Sequence, residues 1–143
     1  MILIDSNIVI DAHDRLSPFR SSSTALIAEA VERDGAAINA ILLAELCVGQ
    51  KHPRNLEGEL RSEGLLVFDF PVAAAPICGA AYARYRSARR RSGGGRASSI
   101  PLPDFFIGAH AELMGWPLAT RDTERYQRYF PNVKLIEPRS VKR

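Results

Sequence analysis

Four carboxylates have positions that could support chemistry. Asp5 ends the apolar opening "MILI" and is followed at once by Ser6 and Asn7; Glu45 interrupts the apolar stretch "ILLAELCV"; Asp104 lies in "PDFFIGAHA"; Asp122 closes "LATRD". Taken singly, each acid has a simple structural use: Asp104 and Asp122 can cap helices and Asp5 can sit in a turn. Glu45 resists that treatment, because an unpaired charge among leucines is costly and calls for a counter-charge. Two carboxylates ~4 Å apart repel by roughly 4 kcal/mol at an effective dielectric near 20, so a cluster of them needs a cation. With carboxylate oxygens as the donors, Mg²⁺ or Mn²⁺ is favoured over Zn²⁺, and such a site suits cleavage of a phosphodiester.

The intervening pattern supplies elements able to bring these acids together. Residues 2–4 form a short apolar run suited to a buried parallel strand, and Ser6 can cap a helix reaching Asp11. The serine cluster 21–24 can start a second helix, stopped by Gly35. A weak strand at 36–39, a helix over 41–48, a helix over 56–63 and a strand at 65–70 follow. Pro71 can begin a long Ala-rich helix ending in arginines, and "SGGGRASSIPLP" is a loop within the domain. A helix from Pro103 or Asp104, a strand "PLAT", a helical turn "DTERYQRYF" and a strand at 133–136 complete the chain. Strands alternating with helices imply an α/β fold with a parallel sheet, whose ligands bind beyond the carboxyl ends of the strands. Asp5, Asp104 and Asp122 fall at that edge.

These residues together resemble the PIN-domain ribonucleases: "LIDSN", Glu45 in "ILLAEL", "PDFFIGAHA" and "LATRD" occur in that family's order over nearly the whole chain, and the length is similar to VapC-type toxins of toxin–antitoxin pairs. The resemblance implies a three-layer α/β/α sandwich with a five-stranded parallel sheet, spanning 1–138, with a short basic tail at 139–143. It implies Mg²⁺-dependent RNA cleavage, with Mn²⁺ able to substitute, at a quartet of Asp5, Glu45, Asp104 and Asp122. Asp5, Asp104 and Asp122 would hold the metal, Glu45 would orient or deprotonate the attacking water, and Ser6, Asn7 and Thr120 would hold the carboxylates in place. It also implies a small VapB-like antitoxin, and a homodimer is expected. Ser6 stands where the family often has Thr, and the glycine-rich loop is longer than its pattern suggests.

The 143 residues suit one domain, and 46% hydrophobic content allows a core without disulfides or structural metal. The net charge of +3 permits an anionic partner without identifying one. Cys47 and Cys78 fit buried reduced thiols, His110 a partly buried helix residue, and Trp116 packing beside the fourth strand. No apolar run approaches the ~20 residues of a membrane span and no leader pattern opens the chain, so a cytoplasmic protein is expected. Five arginines fall between Arg84 and Arg91 with no acid among them. Arg86, Arg89, Arg90, Arg91 and Arg96 are therefore candidates for RNA phosphates, with Tyr82 and Tyr85 available for packing or stacking, and Arg121 could pair with an acid or a phosphate. Apolar area on residues 8–12 and 26–31 is the expected docking surface.

Two other enzyme classes fit poorly. A haloacid dehalogenase-type phosphatase needs a second aspartate where Asn7 stands, and "GGGR" lacks the Lys-Ser/Thr of a phosphate loop. A non-catalytic RNA-binding protein on the same fold is the alternative that a complete quartet argues against.

Overall fold

The first strand, β1 (Ile2–Ile4), is wholly buried, which explains why it shows no polar alternation: both faces of the sheet are covered at its centre. A computed structural model describes residues 1–93 and 100–139. After β1 come α1 (Ser6–His13), α2 (Arg20–Arg33), β2 (Ala36–Asn39), α3 (Ala40–Cys47), α4 (Pro53–Ser62) and β3 (Leu65–Phe68). A 3₁₀ turn (Val72–Ala74) leads into α5 (Ala75–Arg91), then α6 (Leu102–Met114), β4 (Leu118–Ala119), α7 (Thr123–Tyr129) and β5 (Leu135–Ile136).

All five strands are parallel, in the order β3-β2-β1-β4-β5. Right-handed crossovers then assign α1–α4 to one face and α5–α7 to the other, and the pairings within each set agree: α1 packs on α2, and α5 on α6 and α7. The expected five-stranded α/β sandwich is the observed fold. The chain reverses its direction of travel across the sheet between β1 and β4, where Leu3 lies opposite Leu118 and Ile4 opposite Ala119. That pair of strand ends is the topological switch point.

Leu3, Ile4, Ile8, Ile38, Leu42, Leu65, Phe105, Ile107 and Leu118 form the buried centre. Gly108 on α6 permits one close approach: a Cβ there would lie 2.3 Å from the Phe130 ring, so only glycine lets that ring seal the base of α7. Gly35, at φ +82°, turns the chain from α2 into β2 as expected.

Several local expectations are corrected. Asp5, not Ser6, caps α1, accepting the Ser6 amide at 2.7 Å, and the helix runs to His13. α2 begins at Arg20, ahead of the serine cluster, with no side-chain cap; Ser22 bonds back to the Phe19 carbonyl instead. Strand β3 ends at Phe68 and a 3₁₀ turn, not Pro71 itself, opens the way to α5. Cys47 is half-buried rather than buried, while both thiols are free. His110 is fully buried. The expected apolar docking surface is mostly consumed by the packing of α1 on α2: Ile8, Val9 and Ile27 are buried, leaving Ile10 and Val31 exposed. Trp116 packs not on the fourth strand but on Phe68 of β3 and His110 of α6, with ring centres 5.3 Å and 5.4 Å away. No helix among the described residues is long and apolar enough to cross a membrane.

Candidate active site

Asp5 sits at the carboxyl end of β1 because the strand's last amide is tied to β4: its N–H donates to Ala119 O at 2.9 Å. Its side chain is buried and serves two elements at once. Oδ1 accepts from the Ser6 amide, while Oδ2 accepts from Thr120 Oγ1 at 2.7 Å and Asn7 Nδ2 at 3.3 Å. Thr120 in turn accepts the Asp122 amide at 3.0 Å, and Asn7 Nδ2 reaches Asp122 Oδ2 at 3.2 Å. Asn7 and Thr120 thus form a neutral bridge between two acids. Asp122 makes no cap for α7 with its side chain, so the simple structural use expected of it is absent. Ser6 Oγ is only a marginal partner of Asp5, at 3.5 Å.

Glu45 approaches from α3, which is aimed by Asn39. The Asn39 side chain caps α3 by accepting the Leu42 amide at 2.9 Å, and its Nδ2 lies 3.0 Å from His110 Nδ1 on α6. Burial depresses the His110 pKa, so the ring accepts as a neutral imidazole. This Asn39–His110 bond links the helix bearing Glu45 to the helix bearing Asp104. Asp104 lies in the first turn of α6, whose cap is Pro101, and is ion-paired with Arg125 of α7.

The electrostatics mark Asp5 and Glu45 as poorly compensated. Burial pushes the Asp5 carboxyl up to about 6 against the hydrogen bond from Thr120, and the nearby charges of Asp104 and Asp122 add to the rise. Burial likewise raises Glu45 to about 7, with Asp5 and Asp104 contributing. Glu45 Oε1 is buried without a hydrogen-bond partner among the described residues. Asp104 is raised by burial despite Arg125. A buried carboxylate oxygen lacking a donor, beside other acids linked by neutral groups, matches the donor set of an oxygen-ligated divalent ion. As placed, no three of the described His, Cys, Asp and Glu side chains converge closely enough to hold such an ion together.

Two residues of this site have no counterpart in the sequence expectations. Arg125 supplies the cluster's one cationic contact among the described residues. Tyr126, one turn beyond Asp122, is almost fully buried with its hydroxyl unpartnered; burial and the charges of Asp5, Asp104 and Glu45 raise its pKa well above the phenol value. Both follow Asp122 in a helical turn, the only local signal available.

The arginine-rich end of α5 is less uniform than expected. Arg86, Arg90 and Arg91 are exposed, whereas Arg89 is half-buried and donates to Tyr85 Oη at 3.2 Å. Tyr85 is buried against Phe105 and Tyr129, so it is not free to stack on a base. Arg89, Arg121, Arg125 and Arg128 line a groove of about 660 Å³ that reaches Asp122. Arg96 lies outside the described residues. Arg121 is bound to Asp11, Nε to Oδ2 at 2.6 Å, with its guanidinium 4.6 Å from the Phe19 ring centre.

The fold is shared with solved toxin–antitoxin structures. VapBC2 of Rickettsia felis bound to a promoter DNA fragment matches with a TM-score of 0.65 and 23% identity over 96% of this chain and 98% of that one. A toxin–antitoxin complex from Klebsiella pneumoniae matches with a TM-score of 0.65 and 21% identity over 99% and 100%. Mycobacterium tuberculosis VapC20, a Sarcin-Ricin loop cleaving toxin, gives 0.65 and 12% over 94% and 99%. Comparison with curated proteins finds no match. The PIN domain family model matches residues 2–131, which take in β1 to β4 and α1 to α7, and the chain belongs to the PIN-domain family.

Proposed function

We propose that this protein is a metal-dependent endoribonuclease and the toxin of a toxin–antitoxin pair. The observation that carries the reading is the pair of poorly compensated acids, Asp5 and Glu45, at the switch point of a PIN fold. Asp5, Asp104 and Asp122 would hold Mg²⁺ or Mn²⁺; such an ion, when bound, supplies positive charge against the charge developing on the phosphate. Asn7 and Thr120 keep Asp5 and Asp122 oriented with neutral donors that leave their charge intact. Glu45, with a pKa near 7, is suited to accept a proton from an attacking water at physiological pH. Ser6 lies beside both Asp5 and Glu45, and its hydroxyl, 3.5 Å from Asp5 Oδ1, would contribute only weakly to holding them. Arg89 in the groove, with Arg86, Arg90 and Arg91 outside it, would attract the RNA backbone.

The toxin assignment is supported by the VapBC and other toxin–antitoxin complexes among the structural matches, and the partner it implies is a VapB-like antitoxin. A homodimer is part of the same reading.

The test is cleavage of total RNA by the purified chain in Mg²⁺, in Mn²⁺ and in chelator, with mapping of new 5′ ends. We expect discrete ends that depend on the metal and disappear in Glu45→Gln. Tight RNA binding with no metal-dependent cleavage would overturn the reading in favour of a non-catalytic RNA-binding protein.

A further inference from the structure

Arg125 stands inside the acidic cluster on the helix that Asp122 precedes, and its guanidinium engages Asp104 Oδ2. The two side chains are 33% and 12% exposed, so the pair is partly shielded from water and stronger than an open surface ion pair. The same arginine also lines the groove that carries Arg89 and Arg128. A long flexible side chain rooted between two such places can exchange one for the other with no movement of α7.

A divalent ion and a guanidinium compete for the same carboxylate oxygen, and Mg²⁺ tolerates little departure from its short octahedral contacts. Their like charges also repel at close range. An ion entering at Asp104 therefore displaces Arg125 toward the groove. There the guanidinium joins Arg89 and Arg128, neither of which pairs with a carboxylate among the described residues. Asp122, Glu124 and the Asp11-bound Arg121 also line this groove, so a released Arg125 adds to its cationic side, which would favour a polyanion.

We propose that Arg125 is the site's resident counter-ion, holding Asp104 until a divalent ion replaces it and then facing the phosphate backbone, so that metal and RNA favour each other's binding. This rests on the reading that Asp104 helps hold the metal. Because the coupling is a difference in binding free energy, it is reciprocal: a phosphate that draws Arg125 away from Asp104 tightens metal binding by the factor with which metal tightens RNA.

The experiment is calorimetric titration of the full chain with Mn²⁺, with and without a 2′-O-methyl RNA oligonucleotide that cannot be cut. Arg125→Gln removes the competing charge and should bind Mn²⁺ about tenfold more tightly than the parent without oligonucleotide, within the usual range for coupled sites. The oligonucleotide should tighten Mn²⁺ binding to the parent and leave Arg125→Gln nearly unaffected. Arg125→Lys, which keeps the charge, should behave like the parent. If Asp104→Asn weakens Mn²⁺ binding while Arg125→Gln binds no more tightly than the parent, the counter-ion role is wrong and the metal site stands. If Asp104→Asn binds Mn²⁺ as the parent does, both fall.

Discussion

Asp5 and Asp11 lie fewer than two helical turns apart, are equally buried, at 4% and 6% exposure, and have opposite surroundings. Asp11 is compensated in full: Arg121 Nε at 2.6 Å, Arg121 Nη2 at 3.4 Å and Ser17 Oγ at 2.8 Å occupy both its oxygens. Among the described residues Asp5 receives only neutral donors, Thr120, Asn7 and the Ser6 amide, and its neighbouring charges are other acids. A buried acid with its own arginine fastens the fold, here joining α1 to the segment after β4. A buried acid without one raises the energy of the empty fold and favours whatever cation can enter. Burial alone therefore does not mark a functional carboxylate; for Asp5 and Glu45 the mark is the absence of a counter-charge among the described residues, whereas Asp104 already carries one in Arg125.

The largest expected effect separates the two acids by activity. Asp5→Asn, Asp104→Asn and Glu45→Gln should each slow RNA cleavage by at least about a hundredfold, the scale of a lost acid–base or charge-stabilising group. Rates measured on identically purified variants check this, and parent-like cleavage by any of them would remove that residue from the site.

The next effect is on stability and belongs to the other acid. Arg121→Ala leaves the Asp11 carboxylate buried without its partner; complete burial would cost about 3–5 kcal/mol, and because Arg121 is 36% exposed we expect about 2 kcal/mol. Urea unfolding should show a lower midpoint with an unchanged slope. A variant as stable as the parent would mean that the pair does not fasten α1.

A pH-dependent effect also distinguishes the acids. Asp5 is raised from 3.8 to about 6 and Glu45 from 4.5 to about 7, so between pH 4 and 7 the metal-free native state binds protons that the unfolded chain does not. Their contribution to stability is thus unfavourable above about pH 7 and relieved as pH falls toward 4. Relative to an Asp5→Asn, Glu45→Gln double variant, the metal-free parent should gain stability on acidification, by about 3 kcal/mol from the Asp5 shift alone, with the more exposed Glu45 adding less than its own shift would give. Parallel stability–pH curves for the two proteins would show that the acids are not strained.

The smallest effect concerns the cations. Arg121 is committed to Asp11, whereas Arg89 rests on the neutral Tyr85 hydroxyl and remains available to phosphate. Arg89→Ala should raise the RNA concentration for half-maximal cleavage and reduce the salt dependence of binding by about one unit of slope, with Arg86, Arg90 and Arg91 each contributing less. Equal effects from all four would indicate a diffuse charge rather than a groove.

Much of this arrangement is legible in the sequence because its signals are local. An apolar run ending in Asp5, a helix start just before Asp104 and a strand ending just before Asp122 place three acids at one sheet edge without knowledge of any contact. Glu45 is conspicuous because it breaks an apolar helix. What escapes is what depends on partners far along the chain. Nothing near Asp11 announces Arg121, 110 residues away, and nothing near Asn39 announces His110, 71 residues away. Arg125 and Tyr126 occupy an ordinary short helix whose pattern does not say which face meets the acids. Ser6 and Asp5 exchange the capping role because both are good caps, and the choice is decided by the backbone amide that β1 leaves next to Asp5.

Thermal melts of the parent and Asp5→Asn, with and without Mn²⁺, decide whether the acids around Asp5 form a divalent-cation site. Without metal, Asp5→Asn should melt higher than the parent, because it removes a buried carboxylate that lacks a counter-charge. With saturating Mn²⁺, the parent should rise past the variant, which should gain little, since a ligand that binds only the native state stabilises it in proportion to its affinity. A parent that melts higher than Asp5→Asn without metal and gains nothing from Mn²⁺ would contradict the account, leaving Asp5 as a cap of α1 and no more.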